Sequence, residues 1–312
     1  MKRIISFATY VAILAATLSI TACKNTIQND KSVDDVMSET DISKLFDVNG
    51  LTPIESNSSE NINYELYDNG VLIISGEGDM PDYIEEPMHS KQTIKHAPWY
   101  DYRDRIKAVK IEESITSISS FAFYYNHMEN ISIANSVTKI GEGAFYQCEY
   151  LKNIKIPKTV SLIDKGAFIN CSGLRTINIP NGVTEINNNT FYDCWRLETV
   201  NIPNSVKIIG LGAFSGCSVL KSINIPNGVT QIRQYAFSSC GLEEIKIPDS
   251  VVEIRDGAFR GCEFLKDIII PKNVEKFGED VFAGATNLTI HSSAGSPAEI
   301  YARENNINFA IK

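Results

Sequence analysis

One phenylalanine recurs every 22 or 23 residues through the middle of this 312-residue chain. Around each phenylalanine the sequence follows one template, L-x-x-I-x-I-P-x-x-V-x-x-I-x-x-x-A-F-x-x-C. A fixed period of this length is typical of a solenoid, in which each repeat forms one turn. We count eight repeats from about Arg105 to about Ala285, marked by Phe123, Phe145, Phe168, Phe191, Phe214, Phe237, Phe259 and Phe282.

A single repeat of this kind cannot fold alone. Burying its six inward side chains contributes about 10–15 kcal/mol, whereas ordering its residues costs roughly 1–2 kcal/mol each. Stacked repeats share their buried faces, so the array folds where the unit cannot. In one repeat the inward residues are Leu174, Ile177, Ile179, Val183, Ile186 and Phe191.

The template also predicts local structure. The I-x-I alternation favours a strand, and the proline after it ends that strand because proline cannot donate to the ladder. The V-x-x-I segment predicts a second short strand or an extended turn, and A-F-x-x-C predicts a helical turn. The expected fold class is therefore mainly β with short helical turns, arranged as parallel sheets along a solenoid.

This template resembles the BspA-like leucine-rich repeats of bacterial and protist surface proteins. The resemblance covers about 180 residues, and the first and last repeats depart from it. Glu112 and Ala134 replace the proline, while Asn126 and Ala285 replace the cysteine. The resemblance implies a leucine-rich-repeat solenoid that adheres to proteins of a host or of neighbouring cells.

The segments that flank the array resemble the modules that accompany such repeats. Residues 61–104 predict a small β module, with a hairpin turn at Asp68-Asn69-Gly70 and with Trp99 and Tyr100 packed over the first turn. The array proper spans 105–285. Residues 286–312 predict a cap, with a helix from Pro297 to about Asn305 and a closing strand over 308–311.

The N-terminus predicts export and lipid attachment. Lys2 and Arg3 precede an apolar stretch that ends in small residues and a cysteine, Ile20-Thr21-Ala22-Cys23. This pattern resembles a bacterial lipobox, so residues 1–22 are assigned to a signal peptide and Cys23 to the lipid. The polar stretch 23–60 then predicts a flexible tether. An ordinary signal peptide and a short transmembrane anchor are the alternatives. The expected location is the bacterial cell surface.

Composition argues against several classes of function. The net charge is −9, and beyond the first residues there is no Lys/Arg cluster, which argues against nucleic acid and anionic membrane surfaces as partners. The four histidines are scattered, and neither a phosphate-binding loop nor a hydrolase motif occurs. We expect no catalytic residue, no metal and no cofactor, and hence no enzyme.

Two columns of the repeat have structural interpretations. Six cysteines occupy one position of successive repeats, and neighbouring turns lie about 4.8 Å apart, within reach of a disulfide. Their side chains point the same way, however, so we expect buried free thiols, with some disulfides as the alternative and a metal site less favoured still. The residue after the repeat leucine is charged in every repeat, mostly with alternating sign, which predicts ion pairs that control register.

Two surfaces are candidates for partner binding. The first is a polar sheet that includes Thr176, Asn178, Thr199 and Asn201. Its alternative interpretation is a solvated β surface.

The second candidate surface is an aromatic corner of the first four turns, formed by Tyr124, Tyr146, Tyr192 and Trp195. Exposed Tyr and Trp are typical binding anchors, and packing between corners is the alternative interpretation. The sequence therefore favours binding of an extracellular protein or glycan. A structural spacer or envelope component without a specific ligand is the main alternative.

Overall fold

The computed structural model describes residues 44–59, 61–83 and 95–312. The chain divides into two units, one of Met1–Asp47 with Glu86–Thr93 and one of Val48–Glu85 with Ile94–Lys312. Of the first unit only 44–47 is described, as a helical turn in which the Asp47 amide donates to the Lys44 carbonyl at 3.3 Å. The predicted signal peptide, Cys23 and most of the predicted tether lie outside the described residues.

The second unit begins with three antiparallel strands. These are β1 (Pro53–Ser59), β2 (Ile62–Tyr67) and β3 (Val71–Gly76), with β2 central. The predicted turn at 68–70 connects β2 to β3, and Gly70 adopts the positive φ of 85° that such turns need. The tether predicted over 23–60 therefore does not extend as far as the sequence suggested, because β1 pairs with β2 along its length.

The solenoid is built from two short parallel strands in most turns. The first strands are β5 (Ala108–Ile111), β7 (Asn130–Ile133), β9 (Asn153–Ile154), β11 (Thr176–Asn178), β13 (Thr199–Asn201), β16 (Glu244–Lys246) and β18 (Asp267–Ile269). The second strands are β6 (Ile115–Ile118), β8 (Lys139–Ile140), β10 (Leu162–Ile163), β12 (Glu185–Ile186), β14 (Ile208–Ile209), β15 (Gln231–Ile232), β17 (Glu253–Ile254) and β19 (Lys276–Phe277). Equivalent template positions pair in register, for example Ile177 with Val200. The predicted parallel sheets are confirmed. Residues 222–224 occupy the strand position of the template, but they do not form a strand.

The A-F-x-x-C segment differs from the helical turn that was expected. The residues two before and two after each phenylalanine take left-handed backbone angles, such as Asn189 (φ 56°) and Asp193 (φ 54°). Left-handed residues break a right-handed helix, so the segment forms tight turns. Alternate amides then point to the next turn of the solenoid. For example, the Phe191 amide donates to the Ala213 carbonyl of the next turn at 2.9 Å.

The core is a continuous stack of phenylalanine rings. From Phe123 to Phe282, neighbouring ring centroids lie 5.1–5.6 Å apart with interplanar angles of 5–13°. Offset stacking at such distances is favourable beyond the burial of apolar area. The repeating phenylalanine is therefore the central contact between turns, as the period predicted.

The N-terminal module adds a turn to this array. β3 pairs in parallel with β5, and β4 (Gly78–Asp79) pairs in parallel with β6. Trp99 occupies the phenylalanine position, stacked on Phe123 at 5.8 Å, and a 3-10 helix follows over Tyr100–Tyr102. The solenoid therefore has about nine turns, one more than the eight marked by phenylalanine.

The C-terminal end closes as the sequence predicted. β20 (Thr289–Ser292) continues the first-strand sheet, a helix spans Pro297–Glu304, and β21 (Asn308–Ile311) pairs with β20. Tyr301 of the helix packs on Phe277 and Phe282, with centroids 4.7 and 5.9 Å away. Within 44–59, 61–83 and 95–312, no helix combines the length and apolar character that a membrane crossing requires.

The six column cysteines are free and buried, which confirms the preferred interpretation. Each Sγ donates to the carbonyl of the phenylalanine in the preceding turn, at 3.0–3.3 Å. Burial raises the pKa of the Cys171 thiol well above its usual value. Asn126 and Ala285, which replace cysteine in the terminal repeats, are buried as well. The column consists of Cys148, Cys171, Cys194, Cys217, Cys240 and Cys262.

We expect these thiols to be unreactive in the folded protein and fully reactive once it unfolds. A buried thiol with a raised pKa forms almost no thiolate at neutral pH. Alkylation in the absence of reductant, followed by peptide mass spectrometry, should label none of the six in native protein and all six in denaturant. Two or fewer labelled column cysteines in denaturant would indicate disulfides instead.

The charged column forms the ion pairs that its alternating signs predicted. Lys152 Nζ lies 2.7 Å from Glu129 Oε2, Arg175 Nη1 lies 3.1 Å from Glu198 Oε1, and Lys221 Nζ lies 3.2 Å from Glu243 Oε1. All six side chains are exposed, so each pair contributes only about 0–1 kcal/mol. Their effect is on register between neighbouring turns rather than on overall stability.

Candidate binding surfaces

The tyrosines of the predicted aromatic corner pack mainly on one another. The Tyr124 ring lies 6.3 Å from Tyr100, 4.4 Å from Tyr125 and 5.3 Å from Tyr146, measured between centroids. His96 stacks on Tyr100 at 3.8 Å. Tyr124 and Tyr146 are partly buried. These contacts favour the packing interpretation of this part of the corner.

The backbone explains why these rings align. The carbonyl of the residue after each phenylalanine accepts a hydrogen bond from an amide of the preceding turn. For example, the Tyr125 amide donates to the Tyr146 carbonyl at 2.9 Å. Equivalent residues of neighbouring turns therefore lie side by side. Tyr192 belongs to the same column but is only 8% exposed. Its ring is part of the packed interior, so it cannot serve as the exposed anchor that the sequence suggested.

The ionisable side chains around Tyr192 have pKa values raised by burial. Burial raises the pKa of Tyr192 and of Cys194, so both keep their protons at neutral pH. Burial also raises the pKa of Asp193 to about 6. Among the residues that the structure describes, no group of three or more His, Cys, Asp or Glu side chains is arranged to hold a metal ion.

Trp195 belongs to the same repeat as Tyr192 but lies further along it, between Cys194 and Leu197. Its side chain is 45% exposed, and the Arg196 guanidinium carbon lies 4.6 Å from the ring centroid. Equivalent turns carry Tyr150 (50% exposed), Val219 (39%) and Phe264 (64%). We call Tyr150, Trp195, Val219 and Phe264 the apolar ridge. It is a row of exposed large side chains that runs along the solenoid.

The ridge was not predicted from the sequence as a unit. Trp195 is the first residue after its cysteine, whereas Tyr150, Val219 and Phe264 are the second, so no single column contains all four. One repeat is also shorter, because only Gly241 separates Cys240 from Leu242. Aligning the residues between cysteine and leucine, rather than single positions, would have revealed it.

The polar sheet is exposed, as the sequence predicted, and has internal contacts. Thr176 pairs with Thr199, and Asn178 pairs with Asn201, between β11 and β13. The Asn201 side-chain amide donates to the Asn178 side-chain oxygen. Stacked amides of this kind stabilise neighbouring strands. The Asn pair thus has a structural role, and the Thr/Asn surface remains a candidate for binding.

Comparison with known proteins places the repeat in a family. The model of the BspA type leucine rich repeat region matches residues 89–198 and 184–303, with six copies. The matched residues make up more than half of the chain, so this chain belongs to the BspA-type leucine-rich-repeat family. No protein with a curated description matches the sequence.

Three solved structures illustrate the similarity. A leucine-rich repeat protein from Eubacterium ventriosum is 28% identical, over 78% of this chain and 73% of that one, with a TM-score of 0.48. A leucine-rich repeat protein from Bacteroides ovatus is 24% identical, over 75% and 84%, with a TM-score of 0.46. A leucine rich cell surface protein from Faecalibacterium prausnitzii is 24% identical, over 80% and 98%, with a TM-score of 0.39.

Proposed function

We propose that this chain is a lipid-anchored protein of the bacterial cell surface that binds an extracellular protein or glycan through the apolar ridge of its solenoid. The observation that carries the proposal is the exposure of Tyr150, Trp195, Val219 and Phe264 along one line of turns. Three of the four side chains, Tyr150, Trp195 and Phe264, are aromatic. They are also the residue types that dominate binding energy.

The rest of the molecule supports the same proposal. A solenoid offers a long, rigid surface, and its core here is closed at both ends by Trp99 and Tyr301. The lipobox at 20–23 supports display of that surface on a membrane. Non-enzymatic binding agrees with the membership in a repeat family of scaffold proteins.

Adhesion of intact cells tests the ridge. A Trp195→Ala, Phe264→Ala double variant should reduce the affinity of cells for immobilised mucin or serum proteins by roughly 1,000-fold, because each anchor contributes about 2 kcal/mol or more at an interface. The measurement is retention of cells that express the full-length protein, at equal surface levels of each variant.

The matched control changes the polar sheet. Replacing Thr176, Asn178, Thr199 and Asn201 together by alanine should leave adhesion nearly unchanged. If the sheet variant abolishes adhesion and the ridge variant does not, the binding surface is the sheet. If neither variant nor deletion of the gene affects adhesion, a structural spacer describes the protein better.

The anchor has its own test. Replacing Cys23 with alanine removes the atom that carries the lipid, so the protein should move from the membrane fraction to the soluble fraction. The mass of the purified wild-type N-terminal peptide should exceed that of the unmodified peptide by the acyl chains. A Cys23→Ala variant that stays in the membrane fraction would show that another segment holds the protein there.

A further inference from the structure

The two outermost first strands of the solenoid, β1 and β21, have different edges. In β1, Pro53 has no amide to donate, the register with β2 shifts between Pro53 and Glu55, and Glu55 carries a charge. Proline, bulges and charges are the features that keep an edge strand from pairing with another chain. β21 has the sequence Asn-Phe-Ala-Ile, pairs without a register shift and contains none of these features. The C-terminal edge is therefore open to pairing.

The backbone of β21 presents two amides at this edge. Within the described residues β21 pairs with β20 only, and the Lys312 amide donates to the Ser292 carbonyl at 2.8 Å. Because the hydrogen-bonding groups of successive residues in a strand point to opposite sides, the amides and carbonyls of Phe309 and Ile311 point away from β20. They are positioned to pair with a further strand.

The side chains of the same two residues lie on the inner face of the sheet. Phe309 lies beside the buried Ile290, and Ile311 lies beside the buried Ser292. Ile311 is nevertheless 74% exposed, the largest exposed fraction among the large apolar side chains of the described residues. An additional strand at this edge would bring apolar side chains against it.

We propose that β21 pairs with β21 of a second copy of this chain, antiparallel and centred on Ala310. Phe309 then lies opposite Ile311 of the second copy, and each such pair exchanges two hydrogen bonds, so all four outward amides are satisfied. An aromatic side chain opposite a β-branched one is a favourable cross-strand pair. Ala310 lies opposite its own copy, where the Cα atoms are only about 4.5 Å apart and a small side chain fits.

The composition of this edge suits pairing with itself. In a two-fold pair any charge on the strand lies near its own copy, and like charges repel. Residues 305–311 contain no charged residue, although the whole chain carries a net charge of −9. Ile300, on the helix that packs against β21, is 45% exposed and adds apolar surface at the same end. The pair joins two solenoids end to end, and it does not involve the apolar ridge.

Cysteine crosslinking of the full-length protein in isolated membranes tests both the pairing and its register. Ala310→Cys places two thiols across the two-fold axis with their Cα atoms about 4.5 Å apart, within the range of a disulfide. After oxidation with copper–phenanthroline, a disulfide-linked dimer should be the main species on a non-reducing gel. The wild-type chain gives the background from its own cysteines, of which the six column cysteines are buried.

The matched control is Asn308→Cys, an exposed position on the same strand and the same face as Ala310. In the proposed register it lies about 14 Å from its own copy, because four residues separate the two along the strands. It should therefore give roughly tenfold less dimer, since such a distance is beyond the reach of a disulfide.

A second variant removes the apolar contact without touching the folded core. Ile311→Glu in the Ala310→Cys chain should reduce crosslinking roughly tenfold, because it brings a carboxylate against Phe309 of the second copy. Val252→Glu, at a side chain that is 49% exposed elsewhere on the solenoid, should leave crosslinking unchanged. Circular dichroism checks that each variant is folded.

Three results would overturn the inference: no dimer from Ala310→Cys, equal dimer from Asn308→Cys, or a dimer that Ile311→Glu leaves intact. The adhesion assay with Trp195 and Phe264 variants is independent of all three. Loss of crosslinking with adhesion retained would therefore remove this inference and leave the proposed function standing.

Discussion

Replacing Phe191 with alanine should lower the free energy of unfolding by about 3–5 kcal/mol, the usual cost of removing a phenylalanine from a core. The ring is fully buried and stacks between Phe168 and Phe214, with centroids 5.5 and 5.4 Å away. Because stability in a solenoid depends on contacts between neighbours, the loss affects the turns on both sides.

Chemical denaturation followed by circular dichroism measures this effect. The matched control is Phe264→Ala, which removes the same ring from an exposed position of the same array. The control should change the midpoint little, since surface substitutions usually stay within about ±0.5 kcal/mol. Equal midpoints for Phe191→Ala and wild type would mean that the ring stack does not couple the turns.

The sequence predicted the solenoid well because every buried position recurs. Leucine, isoleucine, valine, phenylalanine and cysteine each return at one place of the template, so their common inward orientation could be inferred without any structure. The cysteine column is an example. The presence of Asn126 and Ala285 in the same position indicated that a small buried residue was needed there rather than a disulfide.

The turn segment could not be predicted from the same pattern. Its conformation depends on left-handed residues, and in several turns these are not glycine but Tyr125, Gln147 or Tyr235. Nothing in these residue types indicates a positive φ. The requirement is imposed by hydrogen bonds to the neighbouring turn, which a single sequence segment does not show.

The candidate site was predicted only in part for a related reason. Exposure of a side chain depends on the direction of a turn as well as on its position in the repeat. Tyr192 and Trp195 are three residues apart and looked equivalent in the sequence, but the first points into the packed column and the second to solvent. A tyrosine after phenylalanine therefore does not by itself indicate an exposed ring.

The N-terminal turn of the solenoid could not be predicted from the template, because the spacing of the repeat is interrupted there. Nineteen residues separate the end of β4 from Trp99, whereas only four separate the end of β6 from Phe123. The template cannot be aligned across such a long segment. The sequence indicated that Trp99 would pack over the first repeat, and the structure shows that it occupies the phenylalanine position of a further turn.

Trp99→Ala should therefore destabilise the array from its N-terminal end. The indole is buried, contacts Tyr64 and Tyr83 edge-on at 5.8 and 5.9 Å, and donates from Nε1 to the Ala122 carbonyl at 2.8 Å. Its removal should cost about 3–5 kcal/mol. Trp99→Phe keeps the stack on Phe123 and loses the hydrogen bond, so it should cost about 1–3 kcal/mol.

Hydrogen exchange distinguishes this end effect from that of Phe191. A terminal turn has a neighbour on one side only, so it can open without the rest of the array. In Trp99→Ala the amides of β5 and β6 should exchange faster while those of β17 and β19 keep their protection. In Phe191→Ala protection should fall on both sides of the substituted turn. If Trp99→Ala accelerates exchange equally in β5 and β19, the array unfolds as one cooperative unit, and Trp99 stabilises all of it rather than one end.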